Sequence, residues 1–393
     1  MPPFDHALPD QPMLDTLTAL RRDLHAHPEI GFEETRTAAI LTHALRDAGC
    51  EVVEGIGRTG LVATLRRGDG PAIGLRADMD ALAMTENAPG RPHASLIPGR
   101  MHACGHDGHT TLLLGAAQAL ARAGRFKGTV HFIFQPAEEG LGGAQAMVAD
   151  GLFDRFPMDR VYGLHNMPGL ALGEMAVTEG PQLASSDRFA VVFQGTGTHG
   201  AKPHLGRDPI TAAGAFLTIL HSIVAREIDP LAPAVISACA LQAGDFAALN
   251  VIPDVARVGG TARAFSAQVR DQLEAALARV AHGIAAAHGV TARLDYRRGM
   301  PPVINAPVPT AIAASAAIAA LGAGAVQRAF PPSPAGDDFA VLGGQVPGCY
   351  VWLGNGPAAA RALHHNTGYD FNDQALASGI AFWIALVETD LVV

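Results

Sequence analysis

Residues 101–139 read MHACGHDGHTTLLLGAAQALARAGRFKGTVHFIFQPAEE, and this stretch decides the fold class. Its spacing predicts a helix over residues 108–123, with Asp107 able to cap the amino end. The mostly apolar run over residues 129–134 predicts a buried strand. A helix followed directly by such a strand is typical of an α/β sheet covered by helices.

The chain before and after this stretch continues the alternation of helices and strands. Two helices are predicted within residues 10–48, because Pro28 breaks the first and Gly49 can close the second. Short apolar runs predict further strands at residues 61–65, 72–76 and 161–164. We therefore expect an α/β sheet with helices on both faces.

The order of elements changes near Ser185. Strands are predicted at residues 188–193, 234–241, 256–264 and 291–296, and helices at residues 209–225 and 267–288. Their order, β-α-β-β-α-β, is the split pattern of ferredoxin-like domains. We therefore predict a catalytic α/β domain made of residues 1–184 and 298–393, with a smaller domain of residues 185–297 inserted in it.

Composition excludes several classes of protein. The chain has 393 residues, 49% of them hydrophobic and 17% charged, which is typical of a globular protein with two domains. Its formal net charge is -9, and no run of Lys and Arg builds a cationic face, so we expect no nucleic-acid partner. Residues 311–326 carry no charge, but their length and their Ala and Gly content favour a buried helix over a membrane span.

Cysteine usage and the amino terminus predict the compartment. The start, MPPFDHALPDQPM, has neither the basic nor the apolar region of a signal peptide. The four cysteines, Cys50, Cys104, Cys239 and Cys349, are widely spaced and form no CxxC motif, which disfavours a disulfide framework. We therefore expect a cytoplasmic protein without a membrane partner.

Four short motifs carry residue types that bind metal ions. Cys104 and His106 stand two residues apart before the predicted helix, and thiolate and imidazole suit zinc or a similar ion. The pair Glu138 and Glu139 follows a predicted strand, as does His165. A fourth motif, residues 363–366, contains two adjacent histidines. Each motif also has a simpler interpretation, as a core cysteine, an acidic turn, a capping histidine or a polar loop.

The set of motifs argues for a metal centre more strongly than any one of them. All members are ligand types at predicted loops or strand ends: Cys104, His106, Glu139, His165 and His364. Five ligands suit two metal ions that share a water molecule better than one four-coordinate structural site. Glu138 could then take the proton from that water and return it to the leaving amine. No G-x-S-x-G motif indicates a serine nucleophile.

The motifs together resemble the M20 metallopeptidase clan, specifically its amidohydrolase branch of hippurate hydrolases, N-acyl-L-amino acid amidohydrolases and plant auxin-conjugate hydrolases. The resemblance covers nearly the whole chain. The motifs that carry it are RRDLHAHPE (21–29), RADMDAL (76–82), MHACGHD (101–107), QPAEEG (135–140), GLHN (163–166), HGAKPH (199–204), NVIP (250–253) and GTAR (260–263).

The resemblance implies a zinc-peptidase-like catalytic domain with an inserted lid that pairs into a homodimer or larger oligomer. The five ligands it implies are Cys104, His106, Glu139, His165 and His364. It also implies Glu138 as general acid/base, Asp80 as a supporting residue, and His199 as a donor to the transition state in the partner subunit. Asn250 and Arg263 match substrate-binding positions, although Arg263 in a structural salt bridge is an equal alternative.

Three positions depart from the family pattern. Ala83 replaces a proline after Asp-Ala-Leu, and Asp337 replaces the glutamate of a Glu-Asp-Phe motif. Near the carboxyl end the usual His-x-Pro becomes His-His-Asn-Thr, which leaves two candidates for the fifth ligand. His364 follows the leucine as the pattern expects, and His365 is the alternative.

The function predicted from this sequence is metal-dependent hydrolysis of N-acyl amino acids. Zinc and manganese are the expected cations, with cobalt and nickel as further candidates. A dipeptidase or carboxypeptidase would use the same chemistry with another specificity pocket. A non-catalytic binding protein on this fold would have lost Glu138 or several ligands, and none is lost.

Overall fold

The computed structural model describes residues 7–358 and 363–392, which form two compact units. Unit 1 comprises Met1–Gly180, Ile304–Pro331 and Asp337–Val393, and unit 2 comprises Pro181–Val303 and Pro332–Gly336. The predicted limits of the insertion, residues 185 and 297, fall inside unit 2. The short return of the chain to unit 2 at Pro332–Gly336 has no counterpart in the prediction.

The described chain contains both helices and strands throughout its length. The helices are α1 (Gln11–Ala26), α2 (Thr35–Asp47), α3 (His106–Ala123), α4 (Gly143–Ala149), α5 (Leu152–Arg155), α6 (Pro209–Leu220), α7 (Ser222–Glu227), α8 (Ala267–His288), α9 (Pro307–Leu321), α10 (Phe339–Gly343) and α11 (Ala375–Asp390). The strands are β1 (Glu51–Ile56), β2 (Gly60–Arg67), β3 (Ala72–Asp78), β4 (Gly128–Gln135), β5 (Arg160–Met167), β6 (Met175–Ala176), β7 (Gly180–Leu183), β8 (Asp187–Gln194), β9 (Thr198–His199), β10 (Ala234–Ala243), β11 (Val251–Ile252), β12 (Val255–Ala264), β13 (Thr291–Arg297), β14 (Val303–Asn305), β15 (Val326–Gln327) and β16 (Gly348–Gly354).

Unit 1 contains a sheet of eight strands in the order β1-β2-β4-β3-β5-β16-β6-β15. Its centre, β4-β3-β5-β16, is parallel, and β2 joins it antiparallel. Every residue of β4 and β16 is buried, as expected for parallel strands covered on both faces. The predicted α/β class is therefore confirmed.

The register of the parallel strands brings their carboxyl ends together at one edge of the sheet. Asp78 at the end of β3 pairs with Gln135 at the end of β4. His165 near the end of β5 pairs with Trp352 of β16. The segments that follow these strands therefore meet at this edge, where open α/β sheets bind their ligands.

Unit 2 contains an antiparallel sheet in the order β10-β12-β8-β13. Apolar residues of α6 and α8 form one core with the sheet, as Phe216 and Leu273 do with Val191. The predicted β-α-β-β-α-β order is confirmed in β8, α6, β10, β12, α8 and β13. The helix predicted over residues 209–225 is instead two helices, α6 and α7, with His221 between them.

Two predictions about helices turn out differently. The first concerns α3, which begins at His106, so the cap position falls on Gly105 and the prediction of Asp107 as cap is wrong. The Asp107 carboxylate instead accepts from His25 Nδ1 at 2.8 Å and from Arg21 Nη1 at 3.3 Å.

The second concerns the uncharged residues 311–326. They do not form one helix, because α9 ends at Leu321 and a 3-10 turn follows at Ala323–Ala325. None of the helices in the described part of the chain is long and apolar enough to cross a membrane.

We predict that His131 makes unit 1 sensitive to acid. This residue lies in β4, is buried, and forms a 2.9 Å hydrogen bond between Nδ1 and Thr64 Oγ1. Burial lowers its pKa from 6.5 to about 4, so the unfolded chain binds more protons between these values. Neutral His131 therefore contributes its full stability above 6.5, the pKa in the unfolded chain. This contribution is lost as the pH falls toward about 4, the pKa in the folded protein.

The test compares His131→Gln with the wild type in urea unfolding. From about pH 7.5 to about pH 5, the wild type should lose about 2 kcal/mol more free energy of unfolding than the variant. His43→Gln is the matched control, because the His43 side chain is exposed and its ionic contact is with the exposed Asp47. Equal losses in the wild type and His131→Gln would contradict the prediction.

Candidate metal centre

A tight corner at the start of α3 carries the first two candidate ligands, Cys104 and His106. Gly105 lies between them with a φ of 97°, in the left-handed region that glycine adopts without steric cost. A Cβ atom there would lie 2.4 Å from Asn166 Oδ1 and 2.6 Å from the hydroxyl of Tyr369. Only glycine therefore lets the chain turn between the two ligands this close to buried polar side chains.

Backbone carbonyls orient the imidazoles of His106 and His165. His106 Nδ1 lies 2.9 Å from the carbonyl oxygen of Asp80. His165 Nδ1 lies 2.8 Å from the carbonyl oxygen of Asn166. A carbonyl oxygen only accepts, so each Nδ1 carries a proton, and in the neutral ring each Nε2 keeps its lone pair. This arrangement orients histidines that bind a metal ion through Nε2.

The carboxylate of Asp80 holds the segment that carries the two glutamates. Its Oδ1 accepts from the backbone N–H of Glu138, and its Oδ2 from that of Glu139, both at 3.0 Å. Ala137, directly before them, has a φ of 51°, which is rare for a residue other than glycine. Asp80 thus stabilises an unusual bend after β4 through the backbone of both glutamates.

Of the two adjacent histidines near the carboxyl end, His365 lies with the other candidate ligands. Its Nε2 is 3.2 Å from Glu139 Oε1. The ring of His364 stacks edge-on against His165 at 4.9 Å, and its Nε2 lies 3.0 Å from Asn166 Nδ2. The placement therefore favours His365 over the predicted His364. Adjacent identical residues carry no sequence signal that separates them, because the choice depends on the backbone turn, in which His365 has a φ of 59°.

The candidate ligands form two groups that share one thiol. Donor atoms of Cys104, His106 and His165 lie within 4.8 Å of one another, and so do those of Cys104, Glu139 and His365. Sulfur and imidazole nitrogen with one carboxylate suit zinc and similar divalent ions.

The hydrogen bonding of these donors also fits bound cations. Among the described residues, His106 Nε2 is buried without a hydrogen-bond partner, and the buried Glu139 Oε1 has its 3.2 Å contact with His365 Nε2. Unpaired buried polar atoms are costly, so the unpaired nitrogen of His106 needs an explanation. A cation bound by Cys104, His106 and His165 would satisfy it.

Glu138 lies beside these groups and faces a second set of acids. Its carboxylate belongs to one cluster with His106 and Glu139 and to another with Asp337 and Asp338. Only 6% of Glu138 is exposed, and this burial, followed by the charge of Asp337, raises the pKa of its carboxyl group well above the usual range. A buried carboxyl group with a raised pKa suits proton transfer near neutral pH.

Several polar residues behind the candidate ligands were quoted in the sequence motifs but given no role. His109 Nδ1 donates to Asp78 Oδ1 at 2.6 Å, and its Nε2 accepts from the backbone N–H of Asn166 at 3.0 Å. Arg76, fully buried, donates to Asp337 at 3.0 Å and to Asp338 at 3.2 Å. The sequence did offer a signal for Arg76, because it lies in a predicted buried strand beside the Asp-x-Asp motif. Charged side chains are rarely buried without a partner, so a charge in such a strand indicates an ion pair.

The remaining predicted site residues lie in unit 2. His199 is exposed, pairs with Val251 between β9 and β11, and accepts at Nδ1 from the backbone N–H of Ala201 at 3.0 Å. The backbone oxygen of Asn250 accepts from Gly200 N–H at 2.7 Å, so the segments of His199 and Asn250 adjoin.

Arg263 lies on β12 with its guanidinium 3.4 Å from the Ser185 carbonyl oxygen. Burial lowers the pKa of Arg263. No carboxylate in the described residues lies within 4.0 Å of it, so the alternative of a structural salt bridge gains no support there.

Comparison with known proteins places this site in a family. The model of peptidase family M20/M25/M40 matches residues 74–389. A hippurate hydrolase of Campylobacter jejuni is 38% identical over 93% of this chain and 94% of that protein. An N-acetylcysteine deacetylase of Bacillus subtilis is 39% identical over 94% of this chain and 95% of that protein. The crystal structure of Bacillus subtilis YxeP, described as a dinuclear metal binding peptidase, superposes with a TM-score of 0.84 at 36% identity, over 98% of this chain and all of that one.

Proposed function

This chain belongs to peptidase family M20/M25/M40 and is a hydrolase, and from this premise we propose that it cleaves the amide bond of N-acyl amino acids with two divalent cations in unit 1. The observation that carries the proposal is the pair of donor groups that share Cys104, with the carboxylate of Glu138 beside them. The names of the relatives, a hippurate hydrolase and an N-acetylcysteine deacetylase, support the substrate class.

Five side chains would hold the cations: Cys104, His106, Glu139, His165 and His365. When bound, two divalent cations polarise an amide carbonyl and make a nearby water molecule more acidic. The donor set is compatible with zinc, manganese, cobalt or nickel, of which we favour zinc for its affinity for thiolate and imidazole. His364 would then support His165 rather than bind metal.

Glu138 would act as general base and then as general acid. It would accept the proton of the attacking water and deliver it to the amine that leaves. Burial, followed by the charge of Asp337, raises its pKa, so the protonated form that the second step needs becomes accessible. The Arg76 guanidinium, bonded to both aspartates, holds them in place.

The test of the function is a substrate panel with metal-reconstituted protein. N-Acyl amino acids with aromatic, indolyl and acetyl groups are incubated beside dipeptides, and free amine is measured with zinc, manganese, cobalt or nickel. We expect release from N-acyl amino acids and loss of activity with a chelator. Release from dipeptides alone would favour the dipeptidase alternative, and no release from any compound would overturn the proposal.

Substrate recognition and the oxyanion contact are proposed for unit 2. Arg263 would bind the carboxylate of the substrate and Asn250 a polar group beside it. His199 would donate a hydrogen bond to the oxyanion. Since its Nδ1 accepts from Ala201 N–H, the neutral ring carries its proton on Nε2, which is the state such a donor needs.

The surface of unit 2 supports assembly into a homodimer. Large apolar side chains are exposed there, among them Leu231 (89%), Phe246 (94%) and Leu249 (82%). Strand β10 forms an edge of its sheet and exposes Val235 and Leu241. Apolar surface beside an open sheet edge marks an interaction site. We propose that two copies associate through this surface, in the cytoplasm.

His199→Ala and Glu138→Gln should complement each other if His199 acts in the partner subunit. Each variant alone should be nearly inactive, because one oxyanion donor contributes roughly a hundredfold to a thousandfold. After subunit exchange, one site of a mixed dimer would carry both substitutions and the other neither, so about a quarter of wild-type activity should return. Proven exchange without any recovery would contradict a role of His199 in trans.

A further inference from the structure

An ordered segment without helix or strand covers residues 83–100 of unit 1, and we name it the strap. Connections of this length without secondary structure are uncommon in compact domains and usually have a function. The strap is tied down by charged side chains. Glu86 and Arg91 form an ion pair within it, and Glu86 Oε2 accepts from the backbone N–H of Ser95 at 2.5 Å.

Arg91 contacts the backbone of the loop that carries His365. Its Nη1 donates to the Tyr369 carbonyl oxygen at 2.6 Å, and its Nη2 to the Gly368 carbonyl oxygen at 2.8 Å. The backbone N–H of Asn87 donates to the Thr367 carbonyl oxygen at 2.7 Å. The strap therefore binds three consecutive carbonyls of this loop, and the planar fork of one arginine accounts for two of them.

The position of His365 depends on its backbone more than on packing of its side chain. The His365 side chain is 54% exposed. Its φ of 59° is rare for a residue other than glycine and persists only where the surroundings hold it. On one side its N–H donates to the Ala103 carbonyl oxygen at 2.8 Å. On the other side Arg91 holds residues 368 and 369.

We infer that Arg91 is a positioning residue, which fixes the loop of residues 363–369 so that His365 can complete one of the two cation sites. The inference rests on the proposed two-cation function. It concerns the group of Cys104, Glu139 and His365, because the loop contributes a donor to that group. The loop contributes no donor atom to the group of Cys104, His106 and His165, although the ring of His364 packs against His165.

The other contacts of the strap explain why the effect should be selective. Glu86 also reaches His25, whose Nε2 lies 3.4 Å from Glu86 Oε1 and whose Nδ1 lies 2.8 Å from Asp107 Oδ2. Arg91 Nη1 lies 3.5 Å from His25 Nε2, but the bond from His25 Nδ1 to Asp107 does not include the Arg91 guanidinium. The Nδ1 bonds that orient His106 and His165 come from backbone carbonyls outside the strap.

The experiment measures cation binding to Arg91→Ala. Metal-free protein is titrated with Co²⁺ by equilibrium dialysis, and thiolate-to-cobalt absorption reports the Cys104 environment. We expect wild type to bind two cations per subunit. In Arg91→Ala the cation held by Cys104, Glu139 and His365 (the second cation) should bind about 10–100-fold more weakly, the usual loss when a residue that orients a ligand is removed. The affinity for the cation held by Cys104, His106 and His165 should change little. His365→Ala is the reference for loss of this donor.

Two controls make the result decisive. Arg100→Ala removes an arginine of the same strap whose ion pair within the described residues is with Glu33, at 2.8 Å, and this variant should bind both cations normally. Arg91→Lys keeps the charge beside Glu86 but cannot reproduce the fork, so it tests the inference if Arg91→Ala unfolds. Arg91→Lys should lower the affinity for the second cation selectively, by a smaller factor than Arg91→Ala does.

The failures of the inference and of the proposed function can be told apart. Wild type that binds fewer than two cations would overturn the two-cation function itself. Two cations in wild type, with unchanged affinities in both Arg91 variants, would overturn the role of Arg91 alone. An equal loss of both cations in Arg91→Ala would show a general structural role instead.

Discussion

Glu138→Gln is expected to lower kcat by about a hundredfold to ten-thousandfold, the range that general acid/base catalysis contributes. Glutamine has nearly the same shape, and the backbone bond from residue 138 to Asp80 Oδ1 does not depend on the side chain. The amide cannot accept the proton of the attacking water. The measurement is kcat on the best substrate of the panel, together with metal content.

Its controls separate proton transfer from metal binding. Glu139→Gln should lose cation affinity as well as activity, because Glu139 belongs to a donor group with Cys104 and His365. Glu54→Gln, at an exposed position paired with Arg46, should leave both unchanged. A Glu138→Gln enzyme with full metal content and wild-type kcat would remove Glu138 from the proposed role.

Cys104→Ala should weaken the binding of both cations, which distinguishes it from substitution of a ligand that belongs to one donor group. The thiol is the one donor common to the two groups, so its removal affects each of them. The loss should exceed the 10–100-fold that removal of an outer supporting residue costs, and activity should fall with it. Equilibrium dialysis with metal analysis measures both affinities.

The other three cysteines serve as controls for Cys104. Cys50 and Cys349 are buried elsewhere in the core of unit 1, and Cys239 is exposed on β10. Alanine at the two buried positions should cost stability, because it leaves a small cavity, but metal content should stay at the wild-type level. Two cations held by Cys104→Ala with wild-type affinity would exclude the shared thiol.

Periodicity along the chain predicted the elements that depend on local signals. The helix expected over residues 267–288 is observed as Ala267–His288, where Ser266 caps the amino end and Gly289 the carboxyl end. The buried strand β4 was visible as an apolar run because parallel strands covered on both faces need one. Features of this kind are set within a few residues, and a single sequence contains them.

Contacts between distant segments were less predictable, even where the residues were noticed. Asp107 was expected to cap α3, but Arg21 and His25, more than 80 positions away, bind its carboxylate. Asp337 was noted only as an aspartate in place of a glutamate. The structure brings it into one acid cluster with Glu138 and pairs it with Arg76, 261 positions away.

The sequence by itself determined the fold class, the β-α-β-β-α-β order of the main elements in unit 2 and the residue types of the candidate metal centre. These follow from hydrophobic period, turn residues and ligand chemistry, which are properties of short segments. The tertiary structure alone decided that His365 rather than His364 lies with Cys104 and Glu139. It alone also showed that Arg91 binds the backbone of the loop that carries His365. The reason is that two adjacent histidines have the same chemistry, and which one reaches a site depends on a backbone turn fixed by residues hundreds of positions away.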